Sequence, residues 1–159
     1  MSLIKFAVII PFRPKAESIN WEGESNLLKR TIQSVLRQSY SAVKVFVVYT
    51  EVPSVVVDDK RVEYHEFPYG YKNYLELENR EDLLDKFKSE KMVVRRWDKA
   101  RKLCYASKLA KEANCDYIMA LDSDDLLSKH LLAYLFSRSR EGMCAGWFMD
   151  KGYLYKEGA

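Results

Sequence analysis

The chain has 159 residues, 26 Lys and Arg against 23 Asp and Glu, 48% hydrophobic residues and a formal net charge of +3. These proportions describe one soluble globular domain, residues 1–159, large enough to bury a real core, and they exclude a low-hydrophobicity disordered chain. No apolar run approaches the length of a membrane span and no charged, apolar, small-residue leader opens the chain. The expectation is a cytoplasmic protein, at most peripheral to the inner face of a membrane.

In chain order, Ile4 to Ile10 is a buried-strand pattern that Pro11 should close, because proline cannot donate to a sheet ladder. A long loop, Pro11 to Gly23, carries Arg13, Lys15, Glu17 and Asn20. Ser25 or Asn26 can cap a helix to Ser39, in which Leu28, Ile32, Val35 and Leu36 recur at helical spacing. Val43 to Tyr49 is a second β-branched strand, followed by Thr50-Glu51-Val52-Pro53. Arg61 to Phe67 is a shorter, charged strand suited to a sheet edge.

Pro68 to Asn79 is aromatic and irregular, and its tyrosines either cover the core or stack on a flat ligand. Glu81 to Met92 and Arg96 to Ala113 have helical patterns. The second has a stripe of Trp97, Ala100, Leu103, Cys104, Ser107 and Ala110, with Asn114 placed to end it. From Lys86 to Lys111 there are ten basic residues against Glu90 and Asp98, either solvated helix faces or a patch facing an anion. Lys129 to Arg140 reads as a helix with Leu131, Leu132, Leu135 and Phe136 inward. Met143 to Met149 and Gly152 to Tyr155 read as a hairpin. Alternation of this kind predicts an α/β, Rossmann-like fold: a mostly parallel central sheet flanked by helices.

Cys104, Cys115 and Cys144 have no ligand spacing and are expected as reduced core cysteines. His65 and His130 are isolated, so no zinc site is expected. Walker A, G-x-G-x-x-G and G-x-S-x-G patterns are all missing, which disfavours a P-loop nucleotidase, a dinucleotide dehydrogenase and an α/β-hydrolase.

The stretch that carries chemistry is Asp116 to Asp125. Tyr117 to Leu121 reads as a strand buried on both faces, and Asp122, Ser123, Asp124 and Asp125 follow it. If extended geometry persists, Asp122 and Asp124 point to one side. Two carboxylates about 5 Å apart repel by roughly 3 kcal/mol at an effective dielectric of about 20. A divalent ion offsets that repulsion, and Mg²⁺ or Mn²⁺ takes one or two carboxylates plus substrate phosphates. The competing reading is a helix N-terminus, where Asp and Ser cap well. An EF-hand loop is disfavoured, since the required glycine and distal glutamate are missing.

In a parallel sheet the first, second and acidic strands end on one rim. That brings together Pro11-Phe12-Arg13, Thr50-Glu51 and Asp122-Ser123-Asp124, parts suited to a base, a ribose and a diphosphate.

Three segments also resemble a known family. Val8-Ile9-Ile10-Pro11-Phe12, the run from Leu28 to Tyr40 containing Ser34-Val35-Leu36-Arg37-Gln38-Ser39-Tyr40, and Asp116 to Asp125 are similar, in this order and spacing, to family 2 glycosyltransferases of the GT-A fold. The resemblance implies a nucleotide-diphosphate donor, often a UDP-sugar, with Mn²⁺ or Mg²⁺ held by Asp122 and Asp124 and a saccharide, lipid or protein acceptor. It places Pro11 and Phe12 beside the base and Asp122 near the ribose or metal, and it has the metal neutralise the departing nucleoside diphosphate. Arg13 and Ser123 belong to the same rim. The family's acidic turn after the second strand is replaced by Tyr49-Thr50-Glu51-Val52, so only Glu51 can stand in for its base-contacting acid. Its glycine and asparagine in the helix before the acidic strand are absent, and Lys99 or Arg101 is the candidate phosphate ligand there. The family's general base lies well downstream of the acidic motif, so no catalytic base is nominated, and the chain is expected to be either a donor-binding fragment of a longer protein or a reduced form with altered function. The rival functions are a nucleotidyltransferase on a related fold and a non-catalytic module binding a nucleotide or other anion; no nucleic-acid partner is expected.

Overall fold

The computed structural model describes residues 3–71, 90–139, 145–149 and 152. The elements are β1 (Phe6–Pro11), a single 3₁₀ turn (Lys15–Glu17), α1 (Trp21–Leu36), β2 (Val43–Tyr49), β3 (Val62–Glu66), α2 (Glu90–Glu112), β4 (Tyr117–Ala120) and α3 (Leu131–Ser139). The strands form one parallel sheet in the order β3-β2-β1-β4. The chain therefore builds outward from β1 through β2 to β3, then returns to lay β4 on the other side of β1. This is an α/β, Rossmann-like architecture, and the gap between β1 and β4 is its topological switch point.

Every residue of β1 is buried, which suits a strand paired on both sides and covered on both faces. Phe6, Val8 and Ile10 join Val45 and Val47 beneath α1 and α3, whereas Ala7 and Ile9 join Phe46 and Val48 against Ala106 and Ala110 of α2. The small alanines let α2 approach the sheet closely.

β1 runs one residue further than expected, through Pro11. Phe6 N donates to Ala42 O and Phe12 N to Val48 O, so the even-numbered amides of β1 face β2. Pro11, of opposite parity, turns its donor-free nitrogen toward β4, whose ladder with β1 has already ended at the Ile9–Ala120 pair. A proline costs no hydrogen bond where the two strands part.

α1 starts earlier than predicted. Asn20 caps it by accepting from Gly23 N at 2.9 Å, while Ser25 lies inside the helix with its hydroxyl bonded to Trp21 O. The expected long loop thus shrinks to residues 12–20. Gly23 has a steric reason to lack a side chain, since a Cβ would stand 2.6 Å from the Asn20 amide nitrogen that belongs to this cap. At the far end of α2, Asn114 takes φ 53° and Cys115 N bonds back to Ala110 O, the left-handed stop expected of it.

Four expectations are corrected. The described helix α2 runs unbroken through Met92 to Arg96, where two helices were predicted to be separate; the rest of the first, residues 81–89, lies outside the described residues. β4 is an edge strand among the described residues, alternating half-buried and exposed, with Ile118 49% exposed. Residues 145–149 form no strand; instead Trp147 packs on Tyr117 at 4.6 Å between ring centroids, and the rest of the expected hairpin, Gly152 aside, lies outside the described residues. Cys104 is exposed and so not a core cysteine, Cys115 is half-buried and packs on the margin of the α2 cluster, and Cys144 lies outside the described residues.

Candidate functional site

Pro11, Phe12, Arg13 and Pro14 leave β1, and Asp122, Ser123 and Asp124 leave β4, on opposite walls of a cleft of about 210 Å³. Arg95, Asp98 and Lys99 of α2 complete it. The cleft lies at the carboxyl edge, where β1 and β4 diverge, the position at which open α/β sheets hold ligands.

The aspartates do not continue the strand. Asp125 N bonds to Asp122 O at 3.1 Å, closing a turn over Ser123 and Asp124, so the same-side geometry expected of an extended Asp122-Ser123-Asp124 does not hold. Nor do they cap a helix: α3 begins only at Leu131, and its first turn has no acid. With capping removed, three carboxylates stand close together with little structural return. Burial, and after it the charges of Asp122 and Asp124, push the Asp125 carboxyl above its usual range.

What holds this turn in place is α1. Thr31 Oγ1 donates to Ser123 O at 2.9 Å, and Ser34 Oγ accepts from Leu127 N at 3.1 Å. Gln38, 7% exposed, donates through Nε2 to Ser128 O at 2.8 Å and accepts from Leu132 N at 3.1 Å. Thr31 and Ser34 lie one turn apart on α1, and Gln38 stands just past its end. They supply polar partners to the backbone of a stretch that has no ladder of its own. The Ser34 to Tyr40 motif is thus explained as a clamp on the acidic loop.

The cations of the cleft are already paired. Arg13 meets Glu24 at 3.0 Å, Arg95 meets Glu17 at 2.8 Å, and Lys99 meets Asp122. These side chains are substantially exposed on at least one partner, so each pair is worth at most about 1 kcal/mol and exchanges readily for an incoming anion.

Beneath the cleft lies a charge pair that sequence reasoning missed. Lys102 is fully buried and its ammonium donates to Phe12 O at 2.8 Å and to Asp98 Oδ2 at 2.9 Å. Asp98 Oδ1 is buried with no hydrogen-bond partner among the described residues. Burial pushes the Asp98 carboxyl up and the Lys102 ammonium down, each partly offset by the attraction of the other. The pair fastens the end of β1 to α2. Its i, i+4 spacing was the available signal, and Arg95 and Lys99 continue the same face one turn earlier.

Other predicted site residues fall elsewhere. The ring of Phe12 is fully buried against Trp21, 4.9 Å between centroids, so it offers no face for stacking although the residue borders the cleft. Glu51 is outside the lining; its Oε2 accepts from Lys15 N at 3.0 Å. Arg101 points to the other side of α2, over the rings of Phe67 and Tyr69.

No group of three His, Cys, Asp or Glu side chains among the described residues converges as a preformed metal shell. Two carboxylates beside a diphosphate-sized cleft fit an ion that draws its remaining ligands from substrate oxygens, the usual habit of Mg²⁺. No helix among the described residues is long and apolar enough to cross a membrane.

No protein-family model and no curated protein matches the sequence. Among solved structures, TarS of S. aureus is similar over 87% of this chain and 20% of that one, with 14% identity and a TM-score of 0.48. The chain spans about a fifth of the length of that structure.

Proposed function

We propose that the cleft is the donor site of a metal-dependent glycosyltransferase of the GT-A type, family 2, which takes a nucleotide-diphosphate sugar. The observation that supports it most is the meeting of the Pro11 to Pro14 segment with the Asp122 to Asp124 turn and three α2 side chains around one cleft at the switch point. With capping ruled out for the aspartates, their crowding is best accounted for by a cation brought with the substrate.

In this reading Asp122 and Asp124 would hold Mn²⁺ or Mg²⁺, whose chemistry is to neutralise the charge that builds on the leaving diphosphate. Lys99, now paired with Asp122, and Arg95 and Arg13, now paired with Glu17 and Glu24, would be the cations available to the diphosphate oxygens. Thr31, Ser34 and Gln38 keep the acidic turn in register throughout. The base is held by groups other than the Phe12 ring. The donor is a UDP-sugar by resemblance, and the acceptor is a saccharide, lipid or protein.

The test is a thermal-shift titration with UDP and Mn²⁺. At a hundredfold excess over Kd, ligand binding stabilises by about 2.7 kcal/mol. For a chain of this size that raises Tm by roughly 5–10 °C. Neither UDP nor Mn²⁺ alone should do so, and Asp124→Ala should abolish the gain while leaving the ligand-free Tm nearly unchanged, because Asp124 is exposed. A wild-type protein that shows no metal-dependent gain overturns the proposal. Release of pyrophosphate from a nucleoside triphosphate and a sugar phosphate would instead indicate a nucleotidyltransferase.

A further inference from the structure

The opposite side of α2 carries a second cavity, of about 270 Å³, that the donor cleft does not use. It lies outside the carboxyl end of β3, between Phe67 and Tyr69 on one side and Trp97 and Tyr105 on the other. Arg101 and Lys108 stand in its lining, and among the described residues no carboxylate does. Arg101 places its guanidinium 5.6 Å from the Phe67 ring centroid and 5.1 Å from that of Tyr69. Contact with ring faces orients the guanidinium without using its N–H groups. Among the described residues neither Arg101 nor Lys108 has an acidic partner, whereas the three cations named in the donor cleft each have one.

We infer that this cavity binds a small aromatic anion, a flat one- or two-ring body bearing a carboxylate, sulfonate or phosphate. The aromatic walls supply stacking surfaces, and the two cations, one of them pre-oriented, supply the charge complement. The volume sits just below the range of about 300–1,000 Å³ common for drug-sized ligands, which admits a ring system with one anionic group. The site is independent of the donor cleft, because the two groups of side chains leave different faces of the helix: Arg95, Asp98 and Lys99 on one, Trp97, Arg101 and Lys108 on the other.

The experiment uses naphthalenesulfonate as probe and calorimetric titration as readout, with uncharged methylnaphthalene for comparison. Cys104 lines the cavity and is exposed, so its rate of carboxymethylation, read by peptide mass spectrometry, reports occupancy at the site itself. Naphthalenesulfonate should bind, slow the modification of Cys104, and bind about tenfold more tightly than methylnaphthalene, a difference of about 1.4 kcal/mol. Arg101→Gln and Lys108→Glu should each weaken it by a similar factor, and Ala100→Trp, which fills the cavity, should abolish binding. Lys108→Glu changes an exposed side chain and keeps the fold, so it remains decisive if Arg101→Gln unfolds. Equal binding of the neutral compound, binding unchanged by Lys108→Glu, or an unprotected Cys104 would each overturn the inference.

Discussion

Lys102→Met removes the ammonium that ties α2 to the end of β1. In the native protein that group is fully buried and satisfies Phe12 O at 2.8 Å and Asp98 Oδ2 at 2.9 Å. Methionine fills nearly the same space but leaves a carboxylate with neither oxygen paired, 8% exposed, and a buried carbonyl without its donor. Breaking a buried ion pair on one side costs about 3–5 kcal/mol. For a domain of marginal stability, about 5–15 kcal/mol, that is a large share of the whole. With a urea m-value near 2 kcal/mol/M the midpoint should fall by roughly 2 M. Asp98→Leu combined with Lys102→Met removes both charges and should recover most of the loss, because an apolar pair of similar volume is often neutral or better.

The pH dependence has a defined sign. Burial already raises the Asp98 pKa in the fold, against the pull of Lys102. A carboxyl whose folded pKa is raised favours the folded state at low pH and loses that contribution as pH rises through the folded value. Without Lys102 the rise is larger, so the deficit of Lys102→Met should shrink as pH is lowered from about 7 to about 5. Urea denaturation of the wild type and both variants at the two pH values measures this. A double variant as unstable as the single one, or a deficit that ignores pH, would show that the pair carries no coupling and that the reasoning is wrong.

Gln38→Leu should cost about 1–3 kcal/mol, since it strands the buried Leu132 N–H and the Ser128 carbonyl. Hydrogen exchange across residues 122–132 should accelerate in that variant beyond the change in global stability, and uniform acceleration would argue against a clamp. Asp59, whose carboxyl accepts hydrogen bonds from the Arg61 side chain and backbone, titrates at about 2. Its contribution is present above the unfolded value and lost as pH falls through the folded one; NMR titration should find a midpoint near that value, and Arg61→Ala should return it toward 3.8. Leu132→Ala should cost about 2–5 kcal/mol by opening a void where α3 packs on the sheet, measured as a lowered urea midpoint.

Apolar periodicity made the sheet legible from the residues alone. Runs such as Ile4 to Ile10 and Val43 to Tyr49 have no polar alternation because both their faces are covered, and that pattern survives without knowledge of any neighbour. The same local signals located α1 and the Asn114 stop of α2, and the helix–strand alternation set the parallel topology that brings β1 and the acidic turn to one edge. Interactions between distant segments decided the rest. The buried face of α2 runs through Val94, Asp98, Lys102, Ala106 and Ala110, not through Trp97, Ala100 and Cys104, because Asp98 and Lys102 neutralise each other and the Lys102 ammonium donates to the Phe12 carbonyl inside the protein. A hydropathy pattern counts those two as polar, so it assigned the wrong face; Arg101, nominated by family resemblance alone, lies on the side away from the donor cleft. Ring burial at Phe12 and the turn at Ser123-Asp124 likewise depend on Trp21 and Thr31, partners remote or on another element. Residue type and spacing, then, determined which segments are strands and helices and which strand ends meet; only tertiary contacts determined which side chains at that meeting are free to touch a ligand, because burial and pairing are properties of neighbours that spacing along the chain does not contain.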